Sequence, residues 1–198
     1  MRDSNNGNDN PVLMSKSVSS QKSFQMRRPL LCSKCERRFS DGGESYVVPL
    51  LHQRKKFSLL DRLKLAQPFF WSPNHNAYIC KDVGFDPQKI GYFGLSILWR
   101  AAVCRWQTFD NDTTGVAVDP KYVESMRRYL VGETGFPTNI AVTATVATDY
   151  LSQHSCFVPY AIPDNPMHTV YALLVKGLVL PVHHGRQPAS GNACHFRR

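Results

Sequence analysis

No apolar run of about 18 residues occurs in the chain, so no transmembrane helix is expected. The first ten residues are polar and rich in Asn, with no apolar core of the kind a secretory signal needs. Six cysteines stand at 32, 35, 80, 104, 156 and 194 without the regular spacing of a disulfide framework. Together these absences lead to the expectation of a reduced, cytoplasmic protein. No His-Glu-x-x-His, Gly-x-Ser-x-Gly or phosphate-loop pattern is present, so zinc protease, α/β-hydrolase and P-loop chemistry have no local support. There is no internal repeat. There is also no second Cys-x-x-Cys, and a closed structural zinc site needs four ligands.

The chain has 198 residues, 42% of them hydrophobic, enough for a real core in one domain. The net charge of +9 favours an acidic partner, nucleic acid above all, and it is unevenly spread. Arg27, Arg28, Lys34, Arg37, Arg38, Arg54, Lys55, Lys56, Arg62 and Lys64 lie between positions 27 and 64, against only Glu36, Asp41, Glu44 and Asp61. Such a cluster is either a solvated face or a phosphate-facing surface.

Residues 1–26 read as a flexible arm, interrupted by a short edge strand near Pro11–Met14. Ser40-Asp41-Gly42-Gly43 reads as a turn into a helix from Glu44, which bends or ends near Val48 because Pro49 follows. Ser58 caps a short helix over 59–66, and residues 69–80 read as a hairpin. The strongest helical signal starts at Asp86-Pro87. Ile90, Phe93, Ile97, Ala101 and Cys104 then recur at three and four residues, predicting a central core helix over about 87–106. Gly91, Gly94 and Ser96 predict a close approach by another backbone. Asp119-Pro120 opens a second amphipathic helix that ends near Gly132. From Asn139 the composition turns to strand, with candidates over 140–146 and 156–162 and a hairpin over 169–182 that turns at Gly177. This order predicts an α+β fold: a metal-knuckle-like N-terminal part, central helices and C-terminal antiparallel strands. Residues 27–184 form the single domain, and 185–198 a disordered tail.

The stretch on which function turns is Leu30 to Phe39, which holds Cys32 and Cys35. Two thiolates at this spacing suit one tetrahedral cation, and the pair also has the spacing of a redox dithiol or of two ordinary thiols. A thioredoxin-like site needs a strand before the pair, for which Leu30-Leu31 is short. Remote zinc ligands would have to come from His52, Cys80, His183, His184, Cys194 or His195, although His183-His184 reads as exposed histidines at a strand end. Glu36 is expected to pair with Arg27, Arg28 or Arg38, and Glu44 to be a first-turn acid of its helix.

Pro11-Val12-Leu13-Met14-Ser15, the Leu-Leu-Cys-x-x-Cys-Glu run, Gly43-Glu44, Tyr92-Phe93 and Ser96–Ala101 together resemble a group of bacterial proteins. In that group the Cys-Glu segment is similar to the second half of an HNH-endonuclease-like treble clef. The resemblance covers about residues 10–184. It implies that Cys32 and Cys35 are zinc ligands. It also implies an upstream Cys-x-x-Cys and a His-x-x-Pro segment, neither of which precedes Cys32 here, and it carries over no catalytic residue. The expectation is a fragment with a partial zinc knuckle that binds DNA, RNA or a protein partner through Arg27, Arg28, Arg37, Arg38, Arg54, Lys55 and Lys56. An HNH-like endonuclease whose catalytic half is missing, and a structural domain without metal, are the alternatives.

Overall fold

The structure is a computed structural model that describes residues 12–14, 19–21, 29–53, 56–72, 76–107, 113–165, 168–184 and 195–197. Strands β1 (Val12–Met14) and β2 (Ser19–Gln21) pair antiparallel within the segment read as an arm. Helix α1 (Ser33–Phe39) then runs without a break into a π-helical turn (Ser40–Glu44), α2 (Ser45–Val47) and a 3₁₀ turn (Val48–Leu50). The expected turn at Ser40–Gly43 is therefore a widened turn inside one helical run. Pro49 falls where α2 gives way to the 3₁₀ turn, so the α-helix ends near Val48 as expected.

Strands β3 (His52–Gln53) and β4 (Lys56–Phe57) form a small ladder that leads into α3 (Ser58–Leu65). Leu59, Leu60 and Leu63 bury one side of α3. Strands β5 (Phe70–Trp71) and β6 (Asn76–Ile79) form the expected hairpin. Helix α4 (Pro87–Val103) begins where its signals say: the Asp86 carboxylate accepts from the N–H groups of Gln88 and Lys89 at 2.9 and 3.2 Å. It ends three residues before Trp106, which lies instead in β7 (Trp106–Gln107), paired with β8 (Thr113–Thr114). Helix α5 (Pro120–Leu130) is capped by Asp119, which accepts from Lys121 N–H at 2.9 Å, and the chain leaves it through Gly132 at φ +80°.

The C-terminal part is sheet. Strands β9 (Ile140–Val142) and β10 (Ala144–Val146) are separate, with Thr143 between them. After the short helix α6 (Tyr150–His154), strands β11 (Cys156–Asn165), β12 (His168–Val175) and β13 (Leu178–His184) form a meander. Strand β14 (His195–Arg197), inside the segment read as a tail, inserts between β10 and β6. The strand order is β11-β12-β13-β10-β14-β6-β5, with β9 also paired to β13. All these pairs are antiparallel except β10 with β14. The fold is α+β.

Helix α4 is the core element. Ile90, Phe93, Leu95, Leu98 and Ala101 are all buried. One side meets the sheet, where Gly94 faces Val142 and Leu180. Gly91 faces the Phe136 ring. The close backbone approach comes at Gly43 instead: a Cβ there would lie 2.8 Å from Lys89 O and Phe93 N. The small residues of α4 thus admit side chains, while Gly43 brings the N-terminal helical run against the backbone of α4. Among the described residues no helix is long and apolar enough to cross a membrane.

Candidate functional site

Cys32 is the N-cap of α1, in extended conformation at φ −75° and ψ 161°, and its carbonyl accepts the first helical bond from Glu36 N–H at 2.9 Å. Cys35 lies on the first turn, three residues on. Both are thiols. Cys32 is exposed and Cys35 half-buried. The Cys35 backbone N–H, and then the Cys35 thiol, hydrogen-bond to the Cys32 sulfur and lower its pKa. The same thiol contact, followed by burial, raises the pKa of Cys35. The two sulfurs are therefore made unlike: Cys32 is the better thiolate, and Cys35 keeps its proton and donates its S–H to Cys32.

A chain of contacts ties this turn to the core. Arg100 of α4 pairs with Glu44, lies 3.6 Å from Glu36 and sits over the Phe39 ring at 5.0 Å. Among the described residues Glu36 therefore takes Arg100 as its partner rather than Arg38, while Arg27 and Arg28, the other expected partners, lie outside the described residues. Glu44 is not a first-turn acid: it closes the π turn and binds the same guanidinium. Arg100 escaped the sequence reading, yet it carries a signal. It is the one cation between Ile90 and Val103 of a core helix, and such a charge needs a carboxylate partner. Lys89 donates to the carbonyl of Asp41 at 2.7 Å, clamping the π turn from the other end. Tyr92 donates its hydroxyl to Leu130 O at 2.7 Å, and burial pushes its pKa up to about 12.

The outward side of α1 is basic. Lys34, Arg37 and Arg38 are all exposed. Arg38 extends toward the turn after α5, where its Nη1 would lie 3.2 Å from a Cβ on Gly132. Beyond that turn, Arg127 and Arg128 are shared with Glu124 and Glu133. Lys56 is exposed on β4. Arg27, Arg28, Arg54 and Lys55 lie outside the described residues.

The donor chemistry of Cys32 and Cys35 suits zinc, but the number of donors does not. Among the described residues no group of three or more His, Cys, Asp or Glu side chains could hold a metal ion. His52 instead lies tilted against the His154 ring at 4.6 Å and edge-on to Phe57 at 5.9 Å. Cys80 is buried at the end of β6. Cys194 and the His195 side chain lie outside the described residues.

The His183-His184 pair, read as exposed, is not. His183 shares a 3.3 Å contact with Thr143 Oγ1. His184 is 3% exposed, between the rings of Tyr122 and Tyr171 at 4.4 and 4.9 Å, and neither of its ring nitrogens has a hydrogen-bond partner among the described residues. Burial drives its pKa down to about 4 despite the nearby Asp119 carboxylate. Comparison of the chain with protein-family models, curated proteins and solved structures finds no match in any of the three.

Proposed function

We propose that the protein binds nucleic acid through the basic side of α1, and that Cys32 and Cys35 are the two thiolates of a partial, HNH-like zinc knuckle. The observation that carries this reading is the pairing of two adjacent thiols with three exposed cations, Lys34, Arg37 and Arg38, on one short helix braced by Arg100. A cation held at the helix start would orient that turn, and the three basic side chains would meet phosphates. Further zinc ligands would come from outside the described residues or from a partner.

The test is anisotropy of labelled DNA and RNA across a salt series. Affinity should fall steeply between about 50 and 200 mM salt, since phosphate contacts release counterions. Replacing Arg37 and Arg38 together by Ala should flatten the slope of log K against log salt by about 2. Absent binding at low salt, or an unchanged slope in the double variant, defeats the reading. Cleavage of plasmid DNA with Mg²⁺ or Mn²⁺ would replace it with the endonuclease alternative.

A second reading is favoured by the inequality of the two sulfurs. A lowered Cys32 and a raised Cys35 suit thiol–disulfide exchange, in which the Cys32 thiolate attacks a disulfide substrate, breaks its S–S bond and releases one thiol, and Cys35 then attacks the mixed disulfide, releasing the second thiol and leaving a Cys32–Cys35 disulfide. Metal content and thiol reactivity separate the two. Zinc retained by the purified chain and lost in Cys32→Ser favours the knuckle. A metal-free chain that exchanges readily with glutathione disulfide favours the dithiol.

A further inference from the structure

The hairpin at the β5 edge of the sheet carries the most exposed aromatic run of the described chain. Phe69, Phe70 and Trp71 are 54%, 48% and 69% exposed, with Ile79 on the paired strand and Leu65 at the end of α3 also outward. Large rings in water need a reason, and two candidate reasons are a second protein surface or the faces of nucleic-acid bases. Edge-to-edge pairing with another chain is poorly served here. Strand β5 is only two residues long, and Pro68 and Pro73 flank it, so few backbone groups can be offered to an added strand.

The charges on the segments that flank the hairpin point to nucleic acid. Arg62 and Lys64 are exposed on α3, and Lys81 on the turn that follows β6. Arg62 reaches over Phe85 at 5.5 Å, at the foot of that turn. Asp61 and Asp82 are the exposed acids of the same segments. Across the sheet, Arg197 of β14 is in register with Ala77, and Ala77 with Phe70. An Arg position therefore stands two strand spacings, about 10 Å, from an aromatic one. Cations beside stackable rings are the signature of a surface that tracks a single strand: phosphates take the charges and unpaired bases take the rings.

We propose that Phe69, Phe70 and Trp71, with the cations of the flanking segments, form a base-stacking platform that makes the protein prefer single-stranded over duplex nucleic acid. This rests on the nucleic-acid reading above and names its substrate class. A duplex keeps its bases stacked on one another and can use only the basic surface, whereas a single strand can use both.

The experiment compares the full chain with Trp71→Ala and Trp71→Phe on two labelled probes, an oligothymidylate of about 20 nucleotides and a duplex of the same length. Wild type should bind the single strand more tightly. Trp71→Ala should lose about 10-fold on the single strand and less than about twofold on the duplex, and Trp71→Phe should keep most of the affinity. Oligothymidylate should also quench wild-type tryptophan fluorescence more than that of Trp71→Phe, a readout that does not depend on the alanine variant folding. Equal loss on both probes, or no loss on either while binding persists, overturns the platform and leaves the basic-surface reading standing. No binding to either probe overturns both. A wild-type dimer in sedimentation that Trp71→Ala dissociates assigns the rings to self-association and also overturns the platform.

Discussion

At the scale of the residue, His184 makes the sharpest prediction. Its neighbours are the rings of Tyr122 and Tyr171, the carboxylate of Asp119 and the adjacent His183. The folded imidazole stays neutral down to about pH 4, whereas the unfolded one gains its proton near pH 6.5. The unfolded state thus binds more protons over that interval, and folding stability must fall as pH drops from about 6.5 to about 4. Above that window the stability linked to this residue is fully present. The loss should be about 2–3 kcal/mol by pH 4.5. Urea unfolding of wild type and His184→Leu at neutral and acid pH isolates this contribution from that of the carboxylates. The variant should lose less stability over the interval, and identical acid limbs would refute the assignment. The buried side of His184 was legible, because burial in β13 alternates strictly from Leu178 through Val182 and reaches 184 in phase. The preference of histidine for surfaces outweighed that period in the sequence reading. The Cys32–Cys35 pair was legible as a pair on a helix start. Its brace was not, because Arg100 lies far along the chain and pairs across two elements.

At the scale of the element, the start of α4 was readable because Asp86-Pro87 caps it locally and the apolar stripe has a helical period. Within the run from Ser33 to Leu50, α2 ends at Val47, as Pro49 predicts, but the expected turn at Ser40–Gly43 is part of the helical run because its local signals contradict its context. Gly42 and Gly43 are turn signals in isolation. Here they serve a helix that crosses another at backbone distance, with the Tyr92 ring against Gly42 and the Lys89 and Phe93 backbone against Gly43. The extra residue of the π turn carries the chain past α4 while Glu44 stays aimed at Arg100. Gly43→Ala is therefore expected to force the two helices apart, although alanine is the better helix former. The cost should be about 1–3 kcal/mol, and the shift should loosen the Arg100 bridge and with it the brace on the Cys32 turn. Thermal melts of Gly43→Ala against Gly135→Ala, a position with open space around it, check this. A melting temperature for Gly43→Ala at or above wild type would show that the crossing has room to spare.

At the scale of the whole molecule, the local part of the sheet was legible and the long-range part was not. The β12–β13 hairpin announces itself by two apolar runs around Lys176-Gly177, both of which take positive φ, 45° and 88°. Strand β14 has three residues, too few for a period, and its neighbours β6 and β10 are remote in sequence, so nothing local marks it. Yet among the described residues it is the strand that links the β5–β6 hairpin to the meander, since the order runs β10-β14-β6-β5. Without it, the ladder edges of β6 and β10 lose their partners, and Ala77 and Tyr78, buried at 8% and 3% exposure, lose the strand that borders them. Backbone groups left unpaired in such a setting cost free energy unless water reaches them. Deleting residues 194–198 should therefore cost about 2–3 kcal/mol, and Phe196→Pro, which removes one ladder N–H at constant length, should act in the same direction. The loss should fall on one half of the sheet. Hydrogen exchange should accelerate at Asn76–Ile79 and stay slow at Tyr171–Leu174, in the centre of the meander. If both variants melt with wild type and exchange at Asn76–Ile79 is unchanged, residues 195–197 act as the tail that their composition suggests, and the β5–β6 hairpin is held without them.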